Sequence, residues 1–441
     1  MRVLLIYPRY QWQEHGQFQE PLGILYIASV LIENGFEVSF LDLSFEKNLG
    51  QLEGEVQKAD VVGMTSSTVL FSRAVYFLKK IKALRPELDV ILGGPHATAE
   101  PEGALKAGFD YLVIGEGEET ILELLSALAE KKGTDNIPGV WSKKGEEIFR
   151  GGAREFIKDI DSIPFPARQF IDYPGYFSKG LLQIGICVAR GCPYQCRFCK
   201  PMQDLLFGRR IRKRGPGSVV EEIGQSMALT GRNFFLFRDD CLASLGKGWF
   251  LEFRKELEQR SLKIAFSGQT RVNEIDEGLL LEMKACGLVG LAFGAESGSQ
   301  KIVDYYDKRF KVEDSIRAFE LCHKHGIGTH CFIILGAPEE TQEDLAQTIE
   351  LVKRVKPESI TISRLTPAPG TYLHKETIEQ GILGSVDFEE WDFYKNQSPI
   401  KLKYLSEKDL IKAENQLREL VAGSALYPRR EIVSCSKIFG E

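Results

Sequence analysis

The chain has 441 residues, of which 43% are hydrophobic and 27% are charged, and its formal net charge is -6. These fractions exclude a disordered chain, and the acidic balance argues against a surface that binds nucleic acid. No apolar run is long enough to span a bilayer, and the opening strand-like run lacks a signal-peptide cleavage site, so we expect a cytoplasmic protein.

Residues 1–136 alternate short β-branched runs with amphipathic stretches. The predicted strands are 3–7, 37–43, 60–65, 89–92 and 111–114, and the predicted helices are 22–34, 72–84, 102–107 and 118–131. The strands are apolar throughout, which is typical of a parallel sheet covered by helices on both faces. This part of the chain therefore predicts an α/β domain with a doubly wound, Rossmann-like sheet.

Residues 137–181 are predicted to form a hairpin, which turns at Lys144 and Gly145, and then a proline-rich connecting segment. A second alternation covers residues 182–374. Its six predicted strands are 183–188, 233–238, 263–267, 289–293, 329–335 and 359–365, and its helices are 219–228, 248–260, 277–286, 312–325 and 341–355. Six such units indicate a partial (β/α)6 TIM-type barrel, with functional residues at the carboxyl ends of the strands. Residues 375–441 predict a mainly helical extension with one helix at 407–421.

Three of the nine cysteines follow the first barrel strand with the spacing Cys-x3-Cys-x2-Cys: Cys192, Cys196 and Cys199. In a reducing compartment such a group indicates a metal site more often than a disulfide. Three thiolates on a loop can bind three corners of an iron–sulfur cubane and leave one iron open. The alternatives are a structural zinc site and a four-cysteine electron-transfer cluster that includes Cys187. Zinc needs four ligands and no histidine is near, and neither alternative explains a position at the top of a barrel.

The spacing, with the aromatic Phe198 directly before the last cysteine, resembles the signature of the radical SAM superfamily. The resemblance implies a [4Fe–4S] cluster on the three cysteines, whose open iron binds S-adenosylmethionine (SAM). It also implies that an external electron donor such as flavodoxin or ferredoxin supplies one electron. SAM is then cleaved to a 5′-deoxyadenosyl radical, which attacks an organic substrate in an oxygen-sensitive reaction.

Further SAM contacts are implied at the ends of later barrel strands. Asp239 is expected to bind the SAM ammonium group and Arg271 its carboxylate, to which a planar guanidinium is suited. Glu296 and Ser297, in a Gly-x-Glu-Ser-Gly turn, are expected to bind other polar groups of SAM. Structural alternatives are a helix cap at Asp239 and a salt bridge at Arg271. A basic run at 209–214 either steers anionic groups or forms a solvated loop.

The N-terminal domain lacks Gly-x-Gly-x-x-Gly and a P-loop, so a dinucleotide site is not favoured. Thr-Ser-Ser at 65–67, Gly-Gly-Pro-His at 93–96 and Gly-Glu-Gly-Glu at 115–118, placed before this barrel, resemble the cobalamin-binding radical SAM family. The resemblance implies a cobalamin at the carboxyl ends of the sheet, with contacts from Ser66, Ser67, Gly93, Gly94, His96, Gly115 and Glu116. There is no Asp-x-His-x-x-Gly segment, so we do not expect a histidine to replace the lower cobalt ligand.

The resemblance implies methylation of an unactivated carbon as the favoured activity. Ring closure or rearrangement without methyl transfer is the alternative enzyme, and a non-catalytic cobalamin and SAM sensor is the alternative outside catalysis. A methylthiotransferase is disfavoured because no cysteine precedes Cys187. No catalytic residue is predicted, and Cys331 is interpreted as a buried core thiol rather than a hydrogen donor.

Overall fold

The computed structural model describes residues 1–8, 19–384 and 399–421. A seven-stranded sheet organises the N-terminal third of the chain, and a six-stranded sheet organises the rest. Among the described residues, no helix combines the length and the apolar character needed to cross a membrane.

The first sheet has the strand order β2-β1-β3-β4-β5-β6-β7, with these strands: β1 (Arg2–Tyr7), β2 (Glu37–Asp42), β3 (Val61–Thr65), β4 (Val90–Gly93), β5 (Tyr111–Val113), β6 (Val140–Lys144) and β7 (Glu147–Arg150). The first five strands are parallel. The predicted hairpin is β6 and β7, and β6 pairs antiparallel with β5, so the hairpin extends the sheet instead of standing apart.

Helices cover both faces of this sheet: α1 (Leu22–Glu33), α2 (Glu46–Leu49), α3 (Leu52–Lys58), α4 (Phe71–Leu84), α5 (Pro95–Ala99), α6 (Pro101–Lys106) and α7 (Glu118–Ala129). Alternate side chains of one strand enter different cores. Val3 and Leu5 pack with α1 and α7, whereas Leu4 and Ile6 pack with α3 and α4. Burial on both faces explains why the strands are apolar throughout, and the doubly wound fold is confirmed.

The second sheet has the order β15-β14-β13-β12-β11-β8 and is parallel throughout. Its strands are β8 (Ile184–Ile186), β11 (Phe234–Phe237), β12 (Ala265–Thr270), β13 (Leu288–Glu296), β14 (Gly328–Leu335) and β15 (Ser359–Arg364). A two-stranded antiparallel ribbon of β9 (Ala189–Arg190) and β10 (Arg212–Lys213) follows β8. Six parallel strands in this order form the predicted partial barrel.

The remaining helices are α8 (Tyr173–Ser178), α9 (Met202–Phe207), α10 (Pro216–Thr230), α11 (Gly246–Gln259), α12 (Glu277–Ala285), α13 (Gln300–Tyr305), α14 (Val312–Lys324), α15 (Gln342–Val355), α16 (Tyr372–Glu379) and α17 (Glu407–Val421). Helix α8 lies in the connecting segment. Helix α17 has the bounds predicted for the one helix of the C-terminal extension, 407–421. Residues 385–398 and 422–441 of that predicted extension lie outside the described residues.

A buried ion network joins the connecting segment to both halves of the chain. Arg168 donates to Glu20, directly before α1, over 2.6 Å and to Glu222 of α10 over 2.7 Å. Glu20 also accepts from the amide of Gly185 in β8 over 2.7 Å. Because breaking one partner of a buried pair is costly, this network holds the two sheets in a defined relation.

Candidate active site at the carboxyl ends of the barrel strands

The loop with the three predicted cluster cysteines leaves and rejoins the barrel through the β9–β10 ribbon. Arg190 pairs with Arg212 at its base. Gly191 has a φ of +96°, and a Cβ at this position would overlap the carbonyl oxygen of Arg210. Only glycine therefore permits the two ends of the loop to approach this closely.

Cys192, Cys196 and Cys199 line one cavity of about 500 Å³. Burial raises the pKa of the Cys192 thiol to about 11 and that of Cys199 to about 12, so a metal must displace these protons when it binds. Within the described ranges, no three Cys, His, Asp or Glu side chains converge on a single ion. A cubane binds each thiolate through a different iron, so three thiols spread around one cavity fit a cluster.

Arg271 lies directly beside this group of thiols. Its Nη1 is 3.3 Å from Sγ of Cys196, and its guanidinium stacks on the ring of Tyr194 at 3.8 Å. It also donates to the carbonyl oxygen of Lys308. The cavity wall therefore carries a permanent positive charge that touches one of the three cysteines, while its predicted contact with the SAM carboxylate stays a prediction.

Glu296 lines the same cavity in an unusual backbone conformation, with a φ of +62°. Its carboxylate forms a buried ion pair with Lys308, 2.7 Å away. Gly294 makes room for this pair, because a Cβ there would lie 2.5 Å from Oε1 of Glu296. Strained conformations of this kind persist where the surroundings impose them, often at functional sites. Ser297 points elsewhere, since its hydroxyl bonds Thr348 of α15 over 3.0 Å.

The two consecutive carboxylates after β11 have different surroundings. Asp239 is buried, and its Oδ1 accepts from the amides of Val188 and Ala189. Burial raises its pKa to about 7. Asp240 lines the cavity and accepts from Nε2 of Gln203 over 2.5 Å. The structure thus brings Asp240 to the cavity wall, and the SAM contact predicted for Asp239 stays a prediction.

Several cavity residues were not predicted from the sequence. Lys200 is buried and donates to the Cys192 carbonyl over 2.8 Å and to Gln203 over 2.6 Å. Lys308 also lines the cavity. The position of Lys200 directly after Cys199 was the available sequence signal, whereas nothing local marks Lys308. Cys331 lies in the main hydrophobic core.

A second cavity, of about 190 Å³, lies between α1, α7 and the carboxyl ends of the N-terminal strands. Four of the predicted cobalamin contacts line it: Gly93, Gly94, Gly115 and Glu116. Gly94 has a φ of +90°, and a Cβ there would lie 2.6 Å from Oγ1 of Thr65. Phe207 of α9, from the segment that carries the three cysteines, also lines it. A glycine-walled cradle of this kind allows part of a large cofactor held at a sheet edge to approach the backbone closely.

The other predicted contacts lie behind this cavity. Ser66 is buried, and its hydroxyl donates to the carbonyl oxygen of Ser67, which is partly exposed. His96 is buried, stacks on Phe71 at 3.9 Å and hydrogen-bonds Thr68 over 3.2 Å. Burial lowers the pKa of His96 to about 4. These side chains support the loops whose glycines line the cavity, and their predicted roles toward cobalamin stay predictions.

Two segments of the chain match two different family models. Residues 14–125 match the B12 binding domain, and residues 186–352 match the radical SAM superfamily. The chain belongs to the cobalamin-binding radical SAM enzymes. Its cofactors are therefore SAM, a [4Fe–4S] cluster and cobalamin, and the three thiols and the glycine-walled cradle fit the cluster and the corrin, respectively.

Relatives of this cobalamin-binding radical SAM enzyme include methyltransferases and cyclases. The uncharacterized methyltransferase PH0819 of Pyrococcus horikoshii is 29% identical over 93% of this chain and 90% of its own. The anaerobic magnesium-protoporphyrin IX monomethyl ester cyclase of Rubrivivax gelatinosus is 29% identical over 89% of this chain and 72% of its own. The solved methyltransferase TsrM of Kitasatospora setae shares the fold, with a TM-score of 0.73 and 21% identity over 86% of this chain and 78% of TsrM.

Proposed function

We propose that this enzyme is a cytoplasmic, cobalamin-dependent methyltransferase that acts on an unactivated carbon of an organic substrate and is reduced by flavodoxin or ferredoxin. The observation that carries the proposal is the single cavity into which Cys192, Cys196 and Cys199 open at the ends of the barrel strands. The matched B12 binding domain before this barrel supports methyl transfer. The relative named as a methyltransferase, which spans nearly the whole chain, favours the same activity.

Different residues of the cavity bind different parts of the cofactors. The three thiolates hold the cluster, which together with SAM supplies a carbon radical able to remove a hydrogen atom. Arg271 keeps a positive charge beside Cys196, and the Glu296–Lys308 pair presents one carboxylate and one ammonium to a zwitterionic ligand. Phe332, on β14, lines the same cavity and contributes an apolar wall that excludes water.

The cluster assignment is tested by replacing each loop cysteine with alanine in protein prepared and reconstituted without oxygen. We expect each variant to lose cluster iron and the release of 5′-deoxyadenosine from SAM under a strong reductant. Cys187→Ala is the matched control, because Cys187 is five residues from the loop cysteines and is the fourth ligand in the competing four-cysteine cluster. If Cys187→Ala loses iron while a loop variant keeps it, the assignment is wrong.

A cyclase is the second candidate, because the Rubrivivax gelatinosus cyclase is as similar as the methyltransferase relative. Methyl transfer leaves S-adenosylhomocysteine, whereas radical ring closure consumes SAM only to 5′-deoxyadenosine. We therefore expect cobalamin-loaded, reduced enzyme to release one S-adenosylhomocysteine for each bound cobalamin, even before a substrate is known. Release of 5′-deoxyadenosine alone, from enzyme with full cobalamin occupancy, would favour the cyclase.

A further inference from the structure

One carboxylate of the N-terminal domain contacts both ends of the cysteine loop. Glu116, in the turn between β5 and α7, has a side chain only 4% exposed. Its Oε1 accepts from Arg190 over 3.0 Å and from Arg212 over 2.8 Å. Its Oε2 accepts from Arg212 over 2.8 Å and from the amide of Ile157 over 3.0 Å. A carboxylate has about four acceptor positions, so those of Glu116 are filled.

The two arginines stand at the two ends of the cysteine loop. Arg190 in β9 and Arg212 in β10 lie opposite each other in the ribbon from which residues 191–211 emerge. Both side chains are largely buried, at 14% and 12% exposure. Arg190 has a second carboxylate partner, Glu118, at 2.5 Å, whereas the other acceptors of Arg212 are the carbonyl oxygens of Ile157 and Phe207. Glu116 is therefore the carboxylate that compensates Arg212.

Without this carboxylate, two neighbouring, largely buried guanidinium groups would keep a single carboxylate partner, Glu118, which bonds Arg190 and leaves Arg212 uncompensated. Burial of an uncompensated charge is strongly unfavourable, and like charges at this distance repel. The repulsion acts directly on the pairing of β9 with β10. The close approach of Gly191 to Arg210 depends on that pairing, so the base of the cysteine loop would open.

We propose that Glu116 is a positioning residue that closes the base of the cysteine loop, so that the N-terminal domain shapes the iron–sulfur site before any corrin binds. This differs from the role expected from the sequence, a contact with cobalamin, because Glu116 has no acceptor position left for a corrin amide. The proposal rests on the assignment of the cluster to Cys192, Cys196 and Cys199.

The test is Glu116→Gln, measured on full-length protein reconstituted with iron and sulfide but without cobalamin. We expect less iron per chain and an altered electron paramagnetic resonance spectrum of the reduced cluster. The matched control is Glu102→Gln, in the same domain, which loses an exposed ion pair with Arg150 and should keep the wild-type iron content and spectrum. Glu116→Gln combined with Arg212→Gln removes the surplus cation and should recover part of the wild-type spectrum.

Two results would overturn the proposal. In the first, Glu116→Gln keeps the wild-type iron content and spectrum but binds hydroxocobalamin more weakly, which makes Glu116 a corrin contact. In the second, the double variant is no closer to wild type than the single one. If Glu116→Gln does not fold, Arg212→Gln is measured in the same way, and an unchanged cluster then counts against the proposal. A wild-type protein without a cluster would instead refute the proposed function.

Discussion

The ion pair between Glu296 and Lys308 gives a quantitative test of the cavity. Its two atoms lie 2.7 Å apart, and both side chains are less than a tenth exposed. The Lys308 ammonium lies over the rings of Phe198 and Phe310, at 5.5 and 5.6 Å from their centres. Because both side chains are largely buried, Lys308→Met leaves the Glu296 carboxylate with little compensation for its charge.

Removal of one partner of a buried ion pair costs about 3–5 kcal/mol. In a domain of 150–250 residues, about 1 kcal/mol corresponds to a change in Tm of roughly 2–4 °C. Lys308→Met and Glu296→Gln should therefore each lower the Tm of the barrel by roughly 6–20 °C. The double variant replaces the pair by two neutral side chains and should lose much less than the sum of the two.

Scanning fluorimetry of cluster-free protein gives the four Tm values of this double-mutant cycle. The control cycle uses Lys403 and Glu339, which lie 3.0 Å apart but are 57% and 62% exposed. Exposed pairs contribute about 0–1 kcal/mol, so this control should show almost no coupling. If the coupling between Glu296 and Lys308 is no larger than that of the control pair, the inference of a largely buried, tightly coupled ion pair is refuted.

Three further predictions concern Arg271, Gly94 and His96. Arg271→Met removes the positive charge beside Cys196 and should lower the midpoint potential of the cluster in a redox titration followed by electron paramagnetic resonance, whereas the exposed Arg317→Met should not. Gly94→Ala should weaken hydroxocobalamin binding by more than Gly35→Ala, since both glycines have positive φ but a Cβ meets nothing at Gly35. Burial lowers the pKa of His96 to about 4, so the unfolded chain takes up the proton first. As the pH falls from about 6.5 to about 4, wild type should lose up to about 3 kcal/mol of stability relative to His96→Gln in denaturant titrations, and parallel curves would refute this.

Hydrophobic patterning predicts the regular elements of this fold well. Strands β1, β3 and β4 are buried on both faces and are continuous apolar runs. The barrel strand β14 instead alternates half-buried and buried residues, which is the other pattern typical of a strand. The elements that the pattern did not predict are short or irregular. Helices α2 and α5 have four and five residues, too few for a helical period to be visible. Strand β13 runs on to Glu296 through a register shift near Gly294, which a pattern of alternating side chains cannot indicate.

In the candidate site, too, contacts between residues close in sequence could be predicted, whereas contacts between residues far apart in sequence could not. Cys192, Cys196 and Cys199 lie within eight residues, so their spacing alone predicts a shared ligand. The partner of Glu116, Arg212, is 96 residues away, and a charged turn residue does not indicate which cation will compensate it. Such partners are set by how the two sheets pack together, and this is the part of the site that required the structure.

The two carboxylates after β11 show why residue type alone does not assign a role. Strand β11 ends at Phe237, and the two consecutive aspartates that follow it have different surroundings. Asp239 binds the amides of Val188 and Ala189 and thereby holds the chain that leads into the β9 ribbon. Asp240 faces the cavity, where it is linked through Gln203 to Lys200, directly after Cys199. One aspartate therefore fixes the path of the cysteine loop from behind, while its neighbour is available to a ligand in front of it.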